Sequence, residues 1–187
     1  MTGHQIFETL GNVELLSQQK IALFASRSAP PEIYEPALML FRELGRLPLT
    51  LAGGWHAPLE KFLFKHSKAQ EIANYIYYLS TNINQFKAND RQKELLQSDK
   101  LLVISPLLKE KQASRPSVKK RDELIFRQVN KILFLYMQPG GRLETYFRQL
   151  SEQDYQLYLL DDPLNQSFQH KDVITLSADN AAIILQT

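Results

Sequence analysis

The chain has 187 residues, 44% of them apolar and 22% charged, the balance of a globular protein with one sizeable core. Its net charge of +2 excludes a uniformly basic nucleic-acid binder, so any such contact has to come from a local patch. It has no cysteine, which excludes disulfides, thiolate metal sites and a cysteine nucleophile, and no apolar run approaches the roughly 20 residues of a membrane helix.

Residues 1–5 lack a basic stretch followed by an apolar one, so no secretory leader is read there. With the missing cysteines this points to a cytoplasmic protein and to no membrane partner. Residues 6–10 are a short apolar segment ended by the turn signal Gly11-Asn12. Residues 13–19 fit one or two helical turns. Residues 21–25 are an unbroken apolar run of the length of a strand buried on both faces, and Ser26 and Arg27 follow as a polar end. Pro30 and Pro31 introduce an amphipathic helix over 32–45, with Ile33, Ala37, Leu40, Phe41 and Leu44 on one face and Gly45 as C-cap.

Residues 48–52 read as a second strand, ending at Gly53-Gly54 and then Trp55-His56. Residues 59–66 have helical spacing. Residues 72–79 form a third strand, 80–89 a polar loop, 90–97 a short helix and 101–105 a fourth strand stopped by Pro106. Residues 109–121 are polar and mostly basic and predict a surface loop leading into a helix over 122–130. Residues 131–137 are a fifth strand ending at Pro139-Gly140-Gly141. A helix over 142–152, a strand over 155–160 and a turn at 161–163 follow. Residues 173–176 and 181–185 are short final strands, or a strand and a tail. Strands alternating with helices at this pitch predict an α/β protein, a doubly wound, mostly parallel Rossmann-like sheet with helices on both faces. Residues 1–187 are expected to form one such domain.

Right-handed crossovers place every strand-to-helix loop on one rim, which collects Ser26-Arg27, Gly53-Gly54, Ser105-Pro106 and Gly140-Gly141-Arg142. Glycine lets the backbone approach a phosphate closely, and the free N–H groups of the following helix favour an anion. Arg27 and Arg142 can each add a bidentate contact. The rim is therefore expected to hold an anionic, nucleotide-like ligand, although paired glycines also serve simply as tight turns. Neither pair matches the dinucleotide or P-loop pattern.

The order of motifs resembles the Rossmann-like domain of the DprA/Smf family of DNA-processing proteins, within the SLOG group that also holds the LOG-type phosphoribohydrolases. I-F-E-T-L-G-N-V-E-L-L over 6–16 is similar to the family's lead-in. K-I-A-L-F-A-S-R over 20–27 is similar to its strand ending in Gly-Ser-Arg, and L-A-G-G over 51–54 to its Ser-Gly-Gly loop. K-R-D-E-L-I over 120–125 resembles its Arg-Arg-Asn-Arg-Leu-Ile helix start, and G-G-R-L-E-T over 140–145 its Ser-Gly-Ser-Leu-Ile-Thr turn. Ala25 replaces a family glycine. The acid of the family's Gly-Ile-Asp is missing at Leu59. Asp122 and Glu123 stand at neutral or basic positions and are expected to repel phosphate. The chain looks like a divergent, stand-alone core.

The resemblance implies a non-enzymatic protein that binds a nucleotide or single-stranded DNA, acts in DNA uptake or recombination, and works with a RecA-type partner or as a homodimer. Its candidate phosphate-binding residues are Ser26, Arg27, Gly53, Gly54, Trp55, His56, Arg121, Gly140, Gly141, Arg142 and Thr145. The alternatives are a LOG-like nucleoside monophosphate phosphoribohydrolase and a small-nucleotide sensor. The LOG signature is half present: Pro139-Gly140-Gly141-Arg142 match, but Phe147 stands where the catalytic Glu belongs, with Glu144 as a substitute after a local shift. No cofactor is implied beyond a bound nucleotide. Trp55 either stacks on a base or packs over the next helix. Tyr75, Tyr77 and Tyr78 either stack or pack. His4, His66 and His170 have no ligand spacing, so no metal site is expected. Ser26 lacks the context of a nucleophile.

Overall fold

Alternate side chains of the run that follows Lys20 point to opposite faces, and both faces are buried. The computed structural model of the protein describes residues 7–66, 72–107 and 109–186. In it Ile21, Leu23 and Ala25 enter one apolar core and Ala22 and Phe24 the other. His4 and Ile6 lie outside the described residues.

In chain order the elements are β1 (Phe7–Gly11), β2 (Lys20–Ala25), α1 (Tyr34–Gly45), β3 (Thr50–Gly53), α2 (Pro58–His66), β4 (Asn74–Tyr78) and α3 (Asp90–Gln97). Then come β5 (Leu101–Pro106), α4 (Arg115–Gln128), β6 (Lys131–Tyr136), α5 (Arg142–Ser151), β7 (Gln156–Leu160) and β8 (Ile174–Leu176). The strands form one eight-stranded sheet in the order β1-β5-β4-β3-β2-β6-β7-β8. The pairs from β5 across to β8 are parallel, and β1 runs antiparallel along β5. This is the doubly wound α/β architecture expected from the sequence. From β2 the chain winds outward through β3, β4 and β5, then returns to β6 on the other side of β2. That reversal is the topological switch point, where sheets of this kind open a crevice beyond the strand ends.

One core layer is made by α1, α2, the edge of α3 and a C-terminal 3-10 segment, Ala178–Leu185; the other is made by α4 and α5. Of the two alternatives for the C-terminal stretch, a strand and a tail is the one found: β8 is the strand, and residues 181–185 are 3-10 helix, with Ala181 and Ile184 buried against the α1 side. Two expectations need correction. The polar stretch 109–121 is a loop only as far as Ser114. There a capping box, in which the Ser114 hydroxyl accepts from the Ser117 N–H, starts α4 at Arg115 with Pro116 in its first turn. Ser105 does not reach the rim as a ligand contact: it is buried, and its hydroxyl donates to the Thr81 carbonyl.

Candidate functional site

A groove of about 1110 Å³ lies beyond the carboxyl ends of β2 and β6, at the switch point. Residues 26–28 after β2 and Gln138 with Gly141 after β6 form its floor, and residues of α2, α4 and α5 its walls. Its charged lining is lopsided. Arg27, Lys61, Arg115, Lys119, Arg121 and Arg142 face one carboxylate, Glu60. In a chain of net charge +2 this is the local basic patch that composition alone could not show.

Arg121 is the most constrained of these cations. It is 5% exposed, and its Nε and Nη2 donate to Asp122 Oδ1 at 2.9 and 2.6 Å. Among the described residues its buried Nη1 has no hydrogen-bond partner. Asp122 is fully buried, and its other oxygen lies 3.3 Å from Nη1 of the half-exposed Arg142. The expectation that Asp122 repels phosphate is therefore corrected. Its carboxylate is behind the groove wall, hydrogen-bonded to Arg121 and in ionic contact with Arg142. The Arg121 guanidinium lies flat against Gly54, where an added Cβ would stand 2.6 Å from Cζ and Nη1. The Gly53-Gly54 loop is thus filled by a protein side chain. Gly54 serves close approach, but of arginine rather than of a ligand phosphate.

The backbone donors around this loop are also occupied. Glu60, in the first turn of α2, accepts from Ala25 N at 3.0 Å through one oxygen and from His56 N at 2.8 Å and Ala57 N at 3.3 Å through the other. Burial pushes its carboxyl up, opposed by Arg121 and by these three N–H groups. Glu60 is the groove residue that motif comparison missed, because an acid was sought at Leu59. Its sequence signal is the Ala57-Pro58 helix start with Glu in the third helical position. His56 lines the groove, and its Nε2 lies 3.2 Å from the Ser80 hydroxyl. Burial first, then Arg121, Lys61 and Arg27, hold its imidazole down at about 4, so it is neutral near pH 7.

Trp55 takes the packing alternative. It sits at φ +50° and is 1% exposed, and its indole N–H donates to the Ile76 carbonyl at 3.0 Å. Its ring meets Phe41, Phe64 and Tyr75. The left-handed backbone turns the side chain into the core, so it cannot stack on a base. Tyr75 and Tyr78 are likewise fully buried.

On the β6 side, Ser26 braces the two central strands. Its N–H donates to the Tyr136 carbonyl, and its hydroxyl accepts from Gln138 N, both at 2.9 Å. Arg27 is exposed on the floor. Gly140 (φ +72°) donates its N–H to Glu144 Oε2 at 2.6 Å, and Gly141 donates to the Gln138 carbonyl at 2.9 Å. Here too an internal carboxylate takes a loop N–H that the glycine argument reserved for phosphate. Glu144 is held below the usual carboxylate range by that N–H and by Arg148. Of the eleven residues named from sequence, Ser26, Arg27, His56, Arg121, Gly141, Arg142 and Thr145 line the groove; Gly53, Gly54, Trp55 and Gly140 do not. Phe147, at the LOG glutamate position, is 4% exposed and packs on Phe134 and Phe168.

The fold and the groove define a Rossmann-like α/β protein with a cationic cleft at its topological switch point. Among known structures this fold is that of DNA processing protein A. The chain superposes on that protein from Helicobacter pylori, described for its single-stranded DNA binding mode, with TM-score 0.74 and 15% identity over 96% of this chain and 86% of the other. For DprA from Streptococcus pneumoniae the TM-score is 0.71 at 14% identity, over 95% of this chain and 65% of the other. The molybdenum cofactor carrier protein of Chlamydomonas reinhardtii shares the fold more loosely, with TM-score 0.59 at 14% identity over 90% and 96% of the two chains. No family model and no curated protein matches the sequence. No helix among the described residues is long and apolar enough to cross a membrane.

Proposed function

We propose that the groove binds the phosphates of single-stranded nucleic acid and that the protein is a non-catalytic binding protein of DprA type. The single observation that carries this is the groove lining at the switch point, six cations to one internally bonded carboxylate. Binding works by side-chain charge rather than by a glycine cradle. The N–H groups of Ala25, His56, Ala57 and Gly140 are already engaged by Glu60 and Glu144. Arg27 and Arg142 supply exposed guanidinium groups, Arg115 and Lys119 a helical pair one turn apart on α4, and Arg121, buried behind them, adds its charge to the wall. The N-terminus of α5, which has no side-chain cap, adds its dipole to the same wall. The fold neighbour from H. pylori, described for single-stranded DNA binding, supports the same ligand class.

A phosphoribohydrolase is less favoured: Phe147 is in the core, and Glu144 is bonded to Gly140 and Arg148 outside the groove lining. Fluorescence anisotropy of a labelled oligothymidylate against the wild-type chain tests the proposal. Micromolar or tighter binding, without release of free base from nucleoside monophosphates, is expected. Binding weaker than about millimolar, the range below non-specific association, overturns it, and release of base establishes the enzyme instead.

A further inference from the structure

A groove that holds only phosphates needs no exposed ring, yet this one has one. Three aromatic side chains line it: Phe24, His56 and Tyr146. Phe24 is 3% exposed, and His56 stands edge-on to Tyr77. Tyr146 is only partly buried, on the groove face of α5. It is the end of an aromatic ladder that starts in the core. Phe24 and Phe126 lie 5.3 Å apart, and Phe126 meets Tyr146 edge-on at 5.1 Å. Such a braced ring loses little freedom when a second ring is laid on it.

The cation beside it is fixed too. The Arg142 guanidinium lies over the Tyr146 ring, 5.7 Å from its centroid, with Nη1 3.3 Å from Asp122 Oδ2. Asp122 in turn holds Arg121, whose unpaired Nη1 is buried in the same wall. Arg121, Asp122, Arg142 and Tyr146 are therefore one contiguous chain of contacts that fixes the half-exposed Arg142 guanidinium over the ring. The groove lining also includes apolar and amide side chains, Val118, Leu143 and Gln149. Planar bases stack on tyrosine rings and on guanidinium planes, and amides meet base edges.

We infer that Tyr146, flanked by Arg142, is the base-stacking platform of the groove. The groove then takes nucleotide units with a phosphate at its exposed cations, Arg27 and Arg115 among them, and the base on Tyr146. This rests on phosphate binding by the groove and adds to it a demand for a base. A thymidylate strand and an abasic strand of equal length separate the two. Anisotropy titrations of the wild-type chain, Tyr146→Ala, Tyr146→Phe and Tyr146→Leu read both affinities. Expected is a loss of about 5- to 100-fold for the thymidylate strand in Tyr146→Ala and Tyr146→Leu, none in Tyr146→Phe, and no change for the abasic strand in any variant. Tyr146→Trp, with the core Trp55 as its only companion indole, should show fluorescence quenched by the thymidylate strand and not by the abasic one. Equal wild-type and Tyr146→Leu affinities, or an equal loss on the abasic strand, overturn the platform while leaving phosphate binding intact. Failure of the wild-type chain to bind either strand overturns phosphate binding, and the platform with it.

Discussion

Gly54→Ala isolates the packing of Arg121. An added Cβ at Gly54 meets Cζ and Nη1 of Arg121 at 2.6 Å and Nε at 2.9 Å, so the guanidinium has to leave its seat. Leaving breaks two charge-assisted hydrogen bonds to a fully buried carboxylate. Opening a buried ion pair from one side costs about 3–5 kcal/mol. Asp122 keeps Arg142 at 3.3 Å, which brings the expected loss below that range, to about 2–3 kcal/mol. Urea unfolding followed by far-UV circular dichroism reads this as a midpoint about 1 M lower at an m-value of about 2–3 kcal/mol/M. Arg121→Ala vacates the space, so Gly54→Ala on that background should cost less than about 0.5 kcal/mol, and the double-mutant cycle should show about 2 kcal/mol of coupling. A Gly54→Ala cost equal on both backgrounds, or below about 0.5 kcal/mol in the wild-type chain, refutes contact with Arg121 as the reason for a glycine there.

Other consequences can be checked separately. Arg27→Ala should weaken binding of every single strand alike and reduce the salt slope by about 0.7, because it removes one phosphate contact and no base contact. The imidazole of His56 is neutral down to about 4 when folded and protonates near 6.5 when unfolded, so the unfolded chain binds the extra proton between these values. Stability therefore rises with pH across that window. In His56→Asn, the free energy of urea unfolding should rise less steeply over it, by up to about 1.4 kcal/mol per pH unit; identical slopes would contradict the depressed value. Asn165 is fully buried, and its amide donates to the carbonyls of Leu135 and Leu160 at 3.0 and 3.1 Å, so Asn165→Ala should cost about 2 kcal/mol in urea unfolding with oligonucleotide binding unchanged.

The central strands were legible because burial on both faces writes itself as an unbroken apolar run, as in Ile21 to Ala25 and in the fifth run, now β6. The N-terminal half of α4 was not, because it exposes residues such as Arg115, Lys119 and Lys120 to the groove or to solvent and has no apolar face to repeat there; its Ser114 cap and Pro116 were the available signals. Of the six groove cations, Arg27, Arg121 and Arg142 were legible at the rim; Lys61, Arg115 and Lys119 were not, because α2 and α4 bring them there only in the fold. Two further things were not. Trp55 follows a glycine pair, and only its positive φ decides that the ring goes inward. The N–H groups freed by the loops look available in sequence, but a carboxylate 35 residues from Ala25, and another four from Gly140, occupy them in the fold. Asp122 shows the same limit: as a sequence letter it is a repulsive charge, and in three dimensions it is a buried clamp.

The salt dependence of single-strand binding tests the central claim most directly. With five or six groove cations neutralising phosphates, log K against log salt should fall with a slope of about −3 to −4. A slope shallower than about −1, or no binding at low salt, would contradict phosphate recognition by the groove.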